Sequence, residues 1–153
     1  SSRIDSFAGG VNVSLAFLLN GRIFGKADFC KSTQQWKLPG VEGEPAMIYL
    51  MSDLVVPNET PRLAKLVLLC LLSTEVKQIL DRHFSADFAY VGTTAFSAHA
   101  ASMKYRGVFK LHKRMPQEGG FRLNYFAPFG SHSLQTALNM WMKKHLNTRK
   151  EPI

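Results

Sequence analysis

The chain has 153 residues, 46% of them hydrophobic, and a formal net charge of +8. That size and apolar content fit one compact domain with a real core and argue against a second. The longest nearly unbroken apolar run, Leu66 to Leu72, falls far short of the roughly 20 residues that span a bilayer, so it reads as a buried helix face and not a membrane segment.

Ser1-Ser2-Arg3-Ile4-Asp5 lacks the basic start and apolar core of a signal peptide. Val11 to Leu18 partly alternates apolar and polar residues, and Asn20-Gly21 then leads into Arg22 to Phe29. Asn-Gly between two such runs predicts an antiparallel hairpin, because both residues tolerate the positive φ of a type I′ turn. Residues 31–46, rich in Pro, Gly, Ser and Thr, predict a long irregular connection with Trp36 as a packing anchor. Met47 to Val56 reads as a strand. It breaks at Pro57-Asn58-Glu59-Thr60-Pro61 into a helix of about twenty residues, on which Leu63, Leu66, Val67, Cys70, Val76 and Leu80 recur near helical spacing. Phe88 to Val91 predicts another buried strand ending at Gly92-Thr93-Thr94. A short helix from Ser97 to Tyr105 should stop at Gly107. Val108 to His112 and Phe121 to Phe126 predict two further strands, and Ser131 or Ser133 caps a last helix carrying Leu134, Leu138 and Trp141. The expected class is α/β (α+β): a single domain over 1–153, in the order β-β-β-α-β-α-β-β-α, with a mixed, mostly antiparallel sheet and helices on both faces.

Charge is uneven along this order. Residues 1–103 carry nine Lys/Arg and nine Asp/Glu, whereas residues 104–153 carry ten and two. Lys104, Arg106, Lys110, Lys113, Arg114 and Arg122 fall on adjacent predicted elements. They are candidate contacts to nucleic acid or another polyanion, against the plainer reading of a solvated basic surface. At the junction after Val56, a helix N-terminus presents unsatisfied N–H groups and partial positive charge, and Arg62 and Lys65 add cations where acids usually sit. That arrangement makes sense around a bound anion. The histidines show no metal-ligand spacing. Cys30 and Cys70, in different elements, form no CxxC pair, so reduced thiols and a cytoplasmic location are expected, with no metal.

The element order, together with Ser14-Leu15-Ala16-Phe17, Asn20-Gly21-Arg22-Ile23-Phe24-Gly25, Leu50 through Lys65 and Ala98 through Gly107, resembles the GNAT-type acyl-CoA N-acyltransferases. The likeness covers about residues 6–110 and is nearest to the Mom-like branch of phage DNA-modification proteins. It implies an acetyl-CoA or other acyl-CoA donor and an amine acceptor, an adenine in DNA if the branch is right. The backbone of Val55 and Val56 would face the cofactor's pantetheine arm. Asn58, Thr60, Arg62, Leu63, Ala64 and Lys65 would surround its pyrophosphate, with Thr93 and Ser102 near the acceptor or thiol. The family's glycine-bearing pyrophosphate loop is absent from 58–64, and Met103 stands where the usual acid tyrosine would.

For proton transfer, Asp53 is the leading carboxylate, because an acid within an apolar strand needs a partner or a purpose; its plainer reading is an exposed strand face. His99 and Tyr105 are further candidates. Two other functions remain on the same scaffold: a protein or small-molecule acetyltransferase, and a non-catalytic binding or inhibitor module engaging nucleic acid or a host protein.

Overall fold

The computed structural model of the chain describes residues 2–31, 36–43, 45–56, 62–97 and 104–149. Seven strands form one sheet: β1 (Ser2–Gly9), β2 (Asn12–Leu19), β3 (Arg22–Lys31), β4 (Met47–Val55), β5 (Tyr90–Phe96), β6 (Lys110–Gln117) and β7 (Gly120–Pro128). Their spatial order is β1-β2-β3-β4-β5-β7-β6. Every neighbouring pair is antiparallel except β4 with β5, which run parallel. The α+β class, the single domain and the mixed sheet are as expected. The Asn20-Gly21 turn has positive φ at both residues, 51° and 79°, as the hairpin requires.

Two elements differ from the expected order. An additional edge strand, β1, precedes the hairpin; its side chains are almost all exposed, so no buried alternation announces it. The single long helix is instead two, α1 (Leu63–Leu71) and α2 (Thr74–Phe84), broken where the Ser73 hydroxyl accepts the Val76 N–H at 3.4 Å and caps the second. The expected helix over 97–105 falls largely outside the described residues. The last helix, α3 (Leu134–Arg149), starts where Ser133 Oγ accepts the Thr136 N–H at 3.0 Å.

The described helices also lie differently from the expected arrangement on both faces. Leu66, Leu68 and Leu71 of α1, Val76 and Leu80 of α2, and Leu134 and Ala137 of α3 share one core with Val13, Phe17, Phe29, Ile48, Leu50 and Val91. The other face is covered in part by Trp36 and Leu38, packed with Met47 and Phe126. Two glycines permit these approaches. A Cβ on Gly25 would collide with the Val67 methyls of α1, and one on Gly92 would lie 2.6 Å from the Met47 sulfur and 3.0 Å from Trp36.

Candidate active site

Strict alternation along β4 would point Ile48, Leu50, Ser52 and Leu54 to the core and turn Asp53 outward. The register against β3 instead slips by one residue: Phe29 opposes Leu50, but Asp28 opposes Ser52 and Ala27 opposes Asp53. Met51 is therefore the extra residue of a bulge, and the bulge reverses the phase of everything after it. Leu54 becomes exposed, whereas Val55 packs against the core and the Asp53 side chain is only 3% exposed.

A buried carboxylate needs partners, and the turn before β6 supplies them. The Tyr105 hydroxyl donates to Asp53 Oδ1 at 2.6 Å, and the Lys104 ammonium lies 2.7 Å from Oδ2 and 3.3 Å from the Asp53 backbone carbonyl. Tyr105 is itself buried, with its ring 5.4 Å from that of Tyr125 and 5.5 Å from that of Phe109. Burial first, and the Asp53 carboxylate second, push the phenol well above its usual range, so Tyr105 holds its proton. The Thr93 hydroxyl donates to the Leu50 carbonyl at 3.0 Å, at the last point where β4 and β5 meet.

Beyond that point the two parallel strands part. β4 and β5 pair only from Met47/Tyr90 to Leu50/Thr93, yet β4 stays paired with β3 to Val55 and β5 with β7 to Phe96. Among the described residues, the inner edge of β4 is thus left without a paired strand along its last residues. Val56 donates its N–H to Phe24 at 2.9 Å, toward β3. Antiparallel alternation then directs the N–H and C=O of Val55 and Asp53 the other way, into the gap, where Lys104 meets the Asp53 carbonyl. Of the two valines expected to face a cofactor, Val55 turns its backbone N–H toward the gap, whereas Val56 turns its N–H toward β3.

Helix α1 is the next described element in the chain. Arg62 occupies its N-cap without a side-chain cap bond, and no acid lies in the first turn, which holds Leu63, Ala64 and Lys65. The Arg62 carbonyl accepts the Trp141 indole N–H of α3 at 3.1 Å. Lys65 differs from expectation. Its ammonium donates to the Lys104 carbonyl at 2.6 Å and also to the Arg106 carbonyl, so it ties α1 to the turn that carries Lys104 and Tyr105. Burial, then repulsion from Lys144, lowers its pKa. Asn58, Thr60, His99 and Ser102 lie outside the described residues.

The six basic candidates do not form one surface. Lys104 is withdrawn onto Asp53. Arg114 opposes Leu123 and Leu111 opposes Tyr125 on the helix-covered face, whereas Lys110, Lys113 and the Met115/Arg122 pair take register positions on the other face. A bulge at His112 separates the two registers. Among the described residues no group of His, Cys, Asp or Glu has the arrangement of a metal site, and no helix is long and apolar enough to cross a membrane. The sequence pattern did not single out Lys104 as the partner of Asp53. The signal that bears on it is the adjacency Lys104-Tyr105 just before a turn glycine.

A family model described as a phage GNAT-like domain matches residues 2–146. No curated protein sequence matches the chain. Among solved structures, one assigned as a GNAT-family acetyltransferase from Desulfovibrio desulfuricans is similar with a TM-score of 0.50 at 13% identity, over 77% of this chain and 69% of that one. A CoA-dependent acyl-homoserine lactone synthase, BjaI, gives 0.52 at 14% identity, over 90% and 67%. A Bacillus subtilis acetyltransferase in complex with CoA gives 0.51 at 7% identity, over 84% and 99%. At these identities the likeness is one of fold.

Proposed function

The chain belongs to the phage GNAT-like domain family, and from that premise we propose that it is an acyl-CoA-dependent N-acyltransferase working at the gap between β4 and β5. The observation that carries this reading is the inner edge of β4, where the N–H and C=O of Val55 have no partner among the described residues and lie beside the Asp53–Lys104–Tyr105 cluster. The residues present fit the donor. A pantetheine arm carries amides that an open strand edge can pair, and a pyrophosphate suits a first helical turn with no side-chain cap and no acid. Arg62, Leu63 and Ala64 would hold the pyrophosphate, and Lys65 would act by fixing the 104–106 turn. When bound, acyl-CoA supplies the activated acyl group as its thioester.

The chain's own groups then position and protonate. Both Asp53 oxygens are engaged, so this carboxylate orients two proton-bearing groups, the Lys104 ammonium and the Tyr105 hydroxyl, at the open edge. Tyr105 keeps its proton at neutral pH, so as the N–C bond forms and the C–S bond breaks it can protonate the leaving sulfur only while taking the proton the amine loses; Lys104 places positive charge where negative charge develops. Calorimetric titration with acetyl-CoA, followed by thiol release in the presence of amines, tests the reading. We expect saturable binding by the native protein, with Tyr105→Phe and Lys104→Met still binding but turning over about tenfold or more slowly. The absence of heat at high micromolar acetyl-CoA sinks it and leaves a non-catalytic module.

An adenine in DNA as the acceptor is supported by the Mom-like resemblance and by the charge excess after residue 103. The distribution of the basic residues over both faces of β6–β7 argues against a single phosphate track. DNA affinity that fails to fall steeply with added salt would exclude this acceptor.

A further inference from the structure

A cavity of 380 Å³ lies behind Tyr105 on the helix-covered face, in the size range of small-molecule sites. Its floor is buried and apolar: Phe109, Leu123 and Tyr125, two of which contact the Tyr105 ring directly. Its rim carries Leu111, half exposed, with Arg106 and Arg114. Among the described residues no carboxylate forms an ion pair with either arginine. Arg114 is instead placed with its guanidinium 3.7 Å from the centre of the Phe121 ring, which fixes its plane and leaves its N–H donors available. Two cations above an aromatic floor, with no acid among the described residues paired to either, make a site for an anion attached to an apolar body. One aromatic ring separates that site from Asp53.

We propose that this cavity recognises the acceptor: a small amine-bearing molecule whose anionic group, carboxylate or phosphate, sits at Arg106 and Arg114 and whose apolar body lies on Phe109, Leu123 and Tyr125. The word acceptor rests on the acyltransferase reading; the anion site itself does not. The geometry also divides the labour among the basic residues. Arg106 and Arg114 select the ligand, Lys104 serves the reacting centre, and Lys110 and Lys113 take no part.

The test is calorimetry or NMR titration of the full chain, without acyl-CoA, using three probes: 4-phenylbutyrate, phenyl phosphate and the neutral 4-phenylbutanol. Both anions, or one of them, should bind saturably, and the alcohol about tenfold or more weakly. Arg106→Gln and Arg114→Gln should each weaken the anion about tenfold, with Lys113→Gln unchanged. Preference between the two anions identifies the head group. Equal binding of acid and alcohol, no binding at low millimolar concentration, or insensitivity to both arginine substitutions overturns the proposal. So does a mixed-sequence single-stranded oligonucleotide that binds and loses affinity on the same substitutions while the small probes do not bind. Acetyl-CoA is titrated in parallel. Retained acetyl-CoA binding with no anion binding removes the cavity alone, and the reverse outcome removes the acyltransferase reading alone.

Discussion

Replacing Asp53 by Asn keeps the shape of the side chain and an acceptor for the Tyr105 hydroxyl, but removes the charge that holds Lys104 at 2.7 Å. Breaking a fully buried ion pair from one side costs about 3–5 kcal/mol. Here Asp53 is 3% exposed but Lys104 is 22% exposed. The ammonium can therefore turn partly toward water, which brings the expected cost down to about 2 kcal/mol. For a chain of this size that is a fall in melting temperature of roughly 4–8 °C. The assay is urea denaturation of the native protein, Asp53→Asn, Lys104→Met and the double variant. The double-mutant cycle should return a coupling of about 1.5 kcal/mol, because each single change strands the other partner. A coupling below about 0.5 kcal/mol, typical of surface pairs, would show that the bulge does not bury Asp53 and would undo the site as described.

Four further outcomes follow from the same geometry. Deleting Met51 removes the bulge residue yet leaves Leu50 opposite Phe29, Ser52 opposite Asp28 and Asp53 opposite Ala27, so Asp53 should stay inward by plain alternation and keep its bond to Tyr105; persistence of the Asp53→Asn and Lys104→Met coupling in that background checks it, and its loss would refute the bulge. Gly25→Ala should lower the urea midpoint by an amount equivalent to about 1–3 kcal/mol, since the new methyl meets the stiff side chain of Val67. Burial first, then Glu75, pushes the Cys70 thiol up to about 12, so a thiol reagent should modify it only as the protein unfolds; rapid labelling of the native chain at Cys70 would refute that packing. The His112 ring stacks on Trp36 at 5.6 Å, and burial, then Lys113, lowers its pKa below the ordinary 6.5. The unfolded chain then binds more protons than the folded one between the folded value and 6.5. Stability should therefore fall as pH drops below about 6.5, and His112→Phe should remove that slope.

Most of the fold was legible because its signals are local. Asn20-Gly21 gave the β2–β3 hairpin, the apolar patterns of 47–56 and 63–80 located β4 and the helical stretch, and Ser131 or Ser133 marked the start of α3. What was not legible depends on position and not on pattern. β1 exposes nearly all its side chains, so pairing with β2 alone makes it a strand. The helix break at Ser73 falls within a helical spacing of apolar residues that reads continuously, because Leu72 on one side and Val76 on the other both take core positions. Asp53 was visible as an acid in an apolar strand, yet its inward direction comes from a one-residue register slip against β3 that no alternation rule anticipates. Lys104 and Lys65 were read as contacts to an outside anion because their charge is visible in the sequence, whereas their partners, the Asp53 carboxylate and two backbone carbonyls, come from other elements.

Val55 offers the most direct access to the acyl-CoA site. Its N–H faces the gap and takes no part in the ladder to β3, so Val55→Pro deletes one donor at the open edge while leaving the Val56–Phe24 bond in place. Calorimetric titration of this variant with acetyl-CoA, beside the native chain and with urea midpoints to show that both are folded, should give affinity at least about tenfold weaker for Val55→Pro. Equal acetyl-CoA affinity in two folded proteins would mean that the donor does not lie along the β4 edge.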